Sequence, residues 1–326
     1  MSEHSLLEAI NLALHRAMRE DPDVLVLGQD VGVEGGVFRA TDGLLSTFGS
    51  NRVFDTPLAE AGSTGFCVGL AAQGFKPVLE IQFMGFVYSA IDQLCNHASR
   101  LRTRTRGRLT CPLVLRAPFG GGIGAPEHHS ESAEAMFAHI PGLRVLIPST
   151  PQRAYGLLLA AIADPDPVVF FEPKRLYRSS TAVVDDNGQH CELDQCELIH
   201  SGDDLTLVTW GAMVQETLEA ARVLEQEGIE AEVIDVVSLK PLDTQTILQS
   251  VARTGRLVIV HEAPQTCGYG AEISAQVAAA GLFNLRAPIM RVTGADTVMP
   301  LPQLEKWYMP TTRHIVEAAR STLIYA

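Results

Sequence analysis

A chain of 326 residues exceeds what one hydrophobic core usually supports, so two domains are expected. Its composition, 46% hydrophobic and 19% charged, is that of an ordinary globular protein, and a net charge of −13 argues against a broad nucleic-acid footprint. No apolar run approaches the roughly 20 residues of a membrane span, and the start MSEHSLLEAI lacks the basic and apolar regions of a signal peptide. The six cysteines contain no CxxC pair, so neither a zinc site nor a redox motif is indicated, and the chain reads as soluble and cytoplasmic.

In chain order, Ser5-Leu6-Leu7-Glu8 is a capping-box pattern that opens an amphipathic helix to about Arg19. Val24–Gly28 is a short continuous apolar run, which predicts a strand buried on both faces. The loop DVGVEGGVFRAT that follows is not a GxGxxG fingerprint, and a short helix is expected at Gly43–Phe48. The stretch TPLAEAGSTGFCVGLAAQ (56–73) carries one carboxylate, Glu60, and then no charge until Lys76. Its glycines leave a helix with little bulk on one face, suited to backbone-on-backbone packing rather than to a solvated surface. A carboxylate at the mouth of so buried an element loses water, which favours its protonated form. The plainer alternative is that Glu60 only complements a helix N-terminus.

Val78–Phe83 alternates apolar and polar residues as a strand with one polar face. A helix over Val87–Leu101, strands at Leu113–Arg116 and Arg144–Ile147, a helix at Gln152–Ala163 and a strand at Val168–Glu172 complete a parallel α/β pattern. The polar stretch 181–204, with an Asp-Asn-Gly turn signal at 186–188, is read as a linker between a first domain, 1–180, and a second, 205–326. The second half repeats the logic. Strands are expected at Leu205–Thr209, Ala231–Val236, Leu257–His261 and Ile289–Val292. Helices are expected at Val214–Gln226, Thr244–Ala252, Glu272–Ala280 and about Thr312 to Leu323.

The polar cluster with most site character is GGGIGAPEHHSES (120–132), which leaves the C-terminal edge of a buried strand, where open α/β sheets bind ligands. His128 and His129 stand there beside Glu127 and Glu131, and a general acid/base or substrate-binding histidine is weighed against a metal ligand and an incidental surface loop. The run Arg100, Arg102, Arg104, Arg106 and Arg108 could hold phosphate or RNA, but in so acidic a chain it is read as pairing with nearby acids or an acidic partner. Phe83, Phe86 and Tyr88 could make a platform for a planar ring, or simply belong to the core. There is no Walker A motif, no GxSxG elbow and no Gly-Asp-Gly with a spaced Asn pair, the pattern that holds Mg²⁺ and a diphosphate in thiamin enzymes. The chain supplies half a site.

Taken together, GGVFRATDGL (35–44), RVFDTPLAEAG (52–62), EIQFMGFVYSAIDQL (80–94), HHSESAEA (128–135), DPVVFFEPKRLYR (166–178), TGRLVIVHEAP (254–264) and PIMRVTGADT (288–297) resemble the β subunit of the α2β2-type E1 component of 2-oxo acid dehydrogenase complexes. The resemblance spans essentially the whole chain. It implies a thiamin diphosphate-binding pyrimidine-type domain, a parallel sheet with helices on both faces, and then a transketolase C-terminal-like α/β domain. It also implies thiamin diphosphate shared with an E1 α subunit that holds Mg²⁺ and the diphosphate, and reductive acylation of a lipoyl-bearing E2.

On that resemblance Glu60 matches the glutamate that hydrogen-bonds N1′ of the aminopyrimidine and favours the imino tautomer that deprotonates thiazolium C2. Leu58 and Gln82 line the same pocket, and Phe86 stacks on the pyrimidine. His129 matches the histidine implicated in acylation of the lipoyl group, and no role is carried over to His128. Leu113, Val114, Ala161, Asp164 and Asp166 match positions that hold a structural potassium in some relatives. There are two departures: Glu131 stands where many relatives have Gln, an extra acid near the channel, and Gly85-Phe86, a form that also occurs among pyruvate enzymes, stands where some branched-chain relatives have Asp-Tyr, which bears on substrate. Pyruvate is the first expectation, branched-chain 2-oxo acids (2-oxoisovalerate) and acetoin are alternatives, and a non-catalytic E2-binding scaffold is the rival from another class.

Overall fold

The computed structural model describes Ser2–Tyr325. The chain forms two compact units, each built on its own sheet. The first takes the chain up to Phe119 and then Met136–Leu193; the second takes Gly120–Ala135 and the chain from Asp194 onward. The expected α/β fold of two domains is therefore present, with one difference. The glycine-rich loop that leaves the first sheet is part of the second unit.

In the first unit, parallel strands run side by side in the order Arg144–Leu146, Val168–Pro173, Val114–Phe119, Lys76–Glu80, Val24–Gly28 and Val53–Asp55. Every residue of Val24–Gly28 is buried, as its unbroken apolar run predicts for a strand covered on both faces. The helix Leu6–Glu20 begins with the full reciprocal capping box between Ser5 and Glu8. It buries Leu6, Ile10, Ala13, Leu14 and Ala17 and packs on the helix Pro151–Ala163, which starts with Thr150 as its cap.

Three local expectations are corrected. The strand Lys76–Glu80 has no solvated polar face: Glu80 is 5% exposed, because a central strand of a parallel sheet is covered on both sides and Arg116 on the adjacent strand compensates its charge. The single helix expected over Val87–Leu101 is broken. A 3-10 run, Met84–Ala90, leads into helix Ile91–Asn96, and the chain turns at His97 before Ala98–Arg100 and Leu101–Arg104. The stretch read as a patternless linker contains two strands. Thr181–Val184 pairs antiparallel with Ser2–Ser5, and Glu197–His200 is an edge strand of the second sheet. Both supply ladder hydrogen bonds that leave little sequence signal, because edge strands of this kind are half exposed.

The second unit orders its strands Met290–Gly294, Leu257–Pro264, Leu205–Thr209, Ala231–Asp235 and Glu197–His200, parallel except for the last. Helices Met213–Gln226 and Thr312–Leu323 close one face over a core that includes Leu205, Leu207, Leu224, Val258, Val260 and Ile315. Thr312–Leu323, expected as a helix, has Thr311 as its side-chain cap and buries one stripe.

Candidate active site

Glu60 is the first residue of the helix Glu60–Ala72. Its carboxylate lies in a cleft lined by Gln29, Thr56, Ser63, Ile81 and Gln82, at the C-terminal ends of strands Val24–Gly28 and Lys76–Glu80. That is the edge where a parallel sheet leaves room for a ligand. Two neutral donors approach the carboxylate from opposite walls, Gln29 Nε2 at 3.4 Å from Oε1 and Ser89 Oγ at 3.5 Å from Oε2. Both are long for hydrogen bonds and leave the carboxylate's strongest acceptor directions open. Gln82 is held across the cleft by donating from Nε2 to Asp30 Oδ2 at 2.8 Å.

The expectation of a desolvated Glu60 is not met by this chain alone. Glu60 is only half-buried, and Leu58 and Phe66 are 79% and 53% exposed. A Cβ added at Gly62 would meet only Ala59 Cβ at 3.7 Å, and one at Gly69 would meet nothing within 4 Å. The small-residue face of the helix, which the sequence suggested would be packed, is so at Gly65, where a Cβ would stand 2.9 Å from Gln93 Oε1, and is bare at Gly62 and Gly69. Its buried side carries Ser63, Thr64, Cys67 and Ala71.

Phe86 sits on the 3-10 run Met84–Ala90, half-buried and edge-on to Phe83 with centroids 5.9 Å apart; Phe83 in turn meets Phe38 edge-on at 5.5 Å. Ser89 donates to the Phe86 carbonyl at 3.0 Å and reaches Glu60 with the same hydroxyl, so Glu60, Gln82 and Phe86 belong to one neighbourhood. Leu58 precedes it on an exposed turn.

Below the cleft lies a buried ion cluster that the sequence reading did not single out. Arg116, fully buried, donates from Nε to Glu172 Oε1 at 2.7 Å and from Nη1 to Glu80 Oε2 at 2.9 Å. Tyr177 Oη donates to Glu172 Oε2 at 2.5 Å. Burial raises the Glu80 carboxyl despite Arg116, and Glu172 adds to the rise. Burial alone would weaken the Arg116 guanidinium's hold on its proton, but Glu172 and Glu80 outweigh it and the group stays charged. One cation between two carboxylates is worth its desolvation only when geometry is good and further donors complete it, as Tyr177 does here. The available signal was a lone charge inside each of three apolar strands, VLEIQ, LVLRAPF and VVFFEP, with Glu80 and Arg116 in direct register.

In the second unit, the loop 120–132 is closed at its neck by Gly120 N–H donating to the Glu131 carbonyl at 2.9 Å. Glu127–His129 forms a 3-10 turn, and both histidines are half-buried. His128 Nδ1 lies 3.6 Å from Glu131 Oε1, an ion pair only when the ring is protonated. Just past the loop, Glu134 is fully buried and accepts from Trp210 Nε1 at 3.1 Å, while Ser132 Oγ donates to Glu262 Oε1 at 3.1 Å. Burial, with Glu262 nearby, pushes the Glu134 carboxyl up to about 7. Trp210 also stacks on the buried ring of His261 at 5.1 Å, and burial pulls that imidazole down to about 4.

The five positions considered for potassium lie together in the first unit. The Leu113 carbonyl accepts from Val168 N at 2.9 Å, and the Ala161 carbonyl from Asp164 N at 3.3 Å. Asp164 and Asp166 pair with Arg144 at 3.1 Å and Arg102 at 2.7 Å, so Arg102 of the basic run does find a nearby acid. Among the described residues no group of three or more His, Cys, Asp or Glu could hold a metal ion.

The family model "Transketolase, pyrimidine binding domain" matches residues 2–180, and "Transketolase, C-terminal domain" matches 194–315. "Pyruvate dehydrogenase E1 component subunit beta" of Bacillus subtilis is 46% identical over 323 residues, covering 99% of both chains. Proteins of the same name from Staphylococcus epidermidis and Staphylococcus aureus are 45% and 44% identical, again over 99% of each chain. The chain belongs to the family of pyruvate dehydrogenase E1 component β subunits. A solved structure titled "Split gene transketolase, inactive beta4 tetramer" superposes with a TM-score of 0.82 at 24% identity, covering 99% of each chain, and shares its fold.

Proposed function

We propose that this chain is the β half of a thiamin diphosphate-dependent pyruvate dehydrogenase E1 component, which oxidatively decarboxylates pyruvate and passes the acyl group to a lipoyl-bearing E2. The observation that carries the reading is the cleft around Glu60. It presents a carboxylate, the Gln82 amide and the Phe83–Phe86 aromatic pair in one place, and the carboxylate is only half-buried. These residues fit an aminopyrimidine ring: a carboxylate for a protonated ring nitrogen, polar side chains for an exocyclic amine and an aromatic face for stacking. Thiamin diphosphate, when bound, supplies the carbon nucleophile for the 2-oxo group and the electron sink for decarboxylation.

Glu60 holds and exchanges a proton at ring N1′, and closure of the open face by a partner would strengthen that bond by removing water. Phe86 stacks on the ring, with Gln82 and Leu58 lining its edge. His129 moves a proton during transfer of the acyl group to the lipoyl sulfur, a role suited to imidazole. The chain contains no motif for a metal-bound diphosphate, so Mg²⁺ and the diphosphate are assigned to an α subunit in an α2β2 assembly. Leu113, Val114, Ala161, Asp164 and Asp166 are retained as a potassium position, because a carbonyl that already accepts one N–H keeps a second lone pair. A cytoplasmic location is supported by six cysteines that are all free. No helix among the described residues is long and apolar enough to cross a membrane.

Pyruvate is favoured as substrate because the relatives are named for it. The test is co-expression with the α partner and thiamin-dependent decarboxylation of pyruvate against 2-oxoisovalerate with an artificial electron acceptor. Preference for pyruvate is expected; preference for 2-oxoisovalerate, or turnover of acetoin alone, would replace the substrate assignment. Glu60→Gln should lower turnover by roughly 10²–10⁴ with the tetramer intact, the usual size for losing a positioned acid/base group. Unchanged turnover in that variant would instead favour an E2-binding scaffold.

A further inference from the structure

The loop that carries His128 and His129 is gripped at its tip by an acidic side chain far away in sequence. Gly122 N–H donates to Glu305 Oε1 at 2.7 Å, and Gly124 N–H donates to Glu305 Oε2 at 3.0 Å. Each carboxylate oxygen therefore takes one backbone amide, a two-point clamp. Gly122 and Gly124 have φ of +87° and +68°, the left-handed region in which successive amides turn toward a common anion and in which other residues are strained. Gly121, just before them, lies against Met299 and Met309; a Cβ there would stand 2.6 Å from Met299 Cε. The loop tip is thus both hydrogen-bonded and seated.

From the clamp, fixed bonds run on to the histidines. Ala125 follows Gly124, and its carbonyl accepts from Ser130 Oγ at 3.2 Å; Pro126 follows in turn, and its carbonyl accepts from His129 N at 2.9 Å. The neck bond from Gly120 N to the Glu131 carbonyl closes the other end. The Glu127–His129 turn therefore lies between the neck bond and the Glu305 clamp, and losing the clamp releases the hydrogen bonds that hold the glycine tip.

We infer that Glu305 is a positioning residue for acyl transfer. Its carboxylate fixes the glycine tip of the 120–132 loop and thereby sets where His129 presents its imidazole. The inference rests on the role proposed above for His129. A carboxylate suits this task because both its oxygens accept, and charge-assisted bonds to backbone N–H are shorter and stronger than neutral ones. Glutamine at the same position would keep one acceptor and turn an NH₂ toward the other amide, leaving one N–H unpaired.

The experiment compares Glu305→Gln and Glu305→Ala in the E1 assembled with its α partner. Hydrogen exchange of peptides covering 120–132 should speed by about tenfold or more in Glu305→Ala and by less in Glu305→Gln, the size expected for losing two or one charge-assisted bonds. Exchange of the core strand Leu205–Thr209 should stay as it is. Acylation of a free lipoyl domain should fall at least about fivefold further than dye-linked decarboxylation of pyruvate, because only the first step uses His129. Unaltered exchange in the loop, or an equal fall in both activities, would overturn the inference; if the alanine variant does not assemble, the glutamine variant carries both readouts. Absence of turnover with pyruvate in the unsubstituted tetramer would count against the functional reading, and loop exchange would still decide the clamp.

Discussion

Glu134→Gln tests whether the base of the histidine loop holds a buried proton. Glu134 is fully buried, hydrogen-bonded by Trp210 and close to Glu262, and its carboxyl is raised from 4.5 to about 7. A rise of that size corresponds to about 3 kcal/mol between the protonated and ionised forms. The folded state holds the proton more tightly than the unfolded chain, so this stability is fully present below pH 4.5 and is lost as pH rises through about 7. Linkage across that window predicts that the wild-type chain loses about 2 kcal/mol between pH 5.5 and 7.5 through this group alone. Glutamine has nearly the same shape, keeps an oxygen for Trp210 Nε1–H and does not titrate, so the variant should gain on the wild type by that amount as pH rises. Urea unfolding followed by tryptophan fluorescence at the two pH values measures the difference. Trp210 is one of only two tryptophans, so the signal reports on the site. A stability difference between the two proteins that is the same at pH 5.5 and 7.5 would refute the reasoning.

Arg116→Met should destabilise the chain by about 3–5 kcal/mol, because it strands Glu80 and Glu172 as buried acids without a cation. Replacing both acids by leucine in the same variant should recover most of that loss in urea midpoints, and no recovery would show that the ion cluster is not the cause. Gly142→Ala places a Cβ 2.3 Å from the Ser99 carbonyl oxygen at a φ of +87°. It should cost roughly 2–4 kcal/mol in thermal or urea unfolding, and a neutral result would mean the turn relaxes freely. The purified chain alone should bind thiamin diphosphate weakly or not at all in calorimetry, because Glu60 is only half-buried and Leu58 nearby is exposed. Tight saturable binding would contradict a shared site.

Much of the fold was legible residue by residue. The Ser5–Glu8 capping box marked a real helix start, and Val24–Gly28 and Leu205–Thr209 are buried strands over the same residues that form apolar runs. These features are local: caps act over one turn, and strand burial shows in the hydrophobicity of the strand itself. Glu60, Gln82 and Phe86 were legible as a group only through resemblance, since no spacing rule links residues on a helix start, a strand exit and a 3-10 run.

What the sequence determined by itself was the α/β alternation, written in periodicity, and, through resemblance, the family and the residues expected at the cleft. Tertiary structure alone decided that Glu80 is buried against Arg116 rather than solvated, that the 120–132 loop joins the second unit, and that Glu305 grips its tip. It also decided that the small-residue face of the Glu60 helix is packed at Gly65 and bare at Gly62 and Gly69. The reason is the same in each case. A charge or a glycine has a local preference, but its energy depends on which distant atoms supply or remove hydrogen bonds, charge and water, and only the folded chain brings those atoms near.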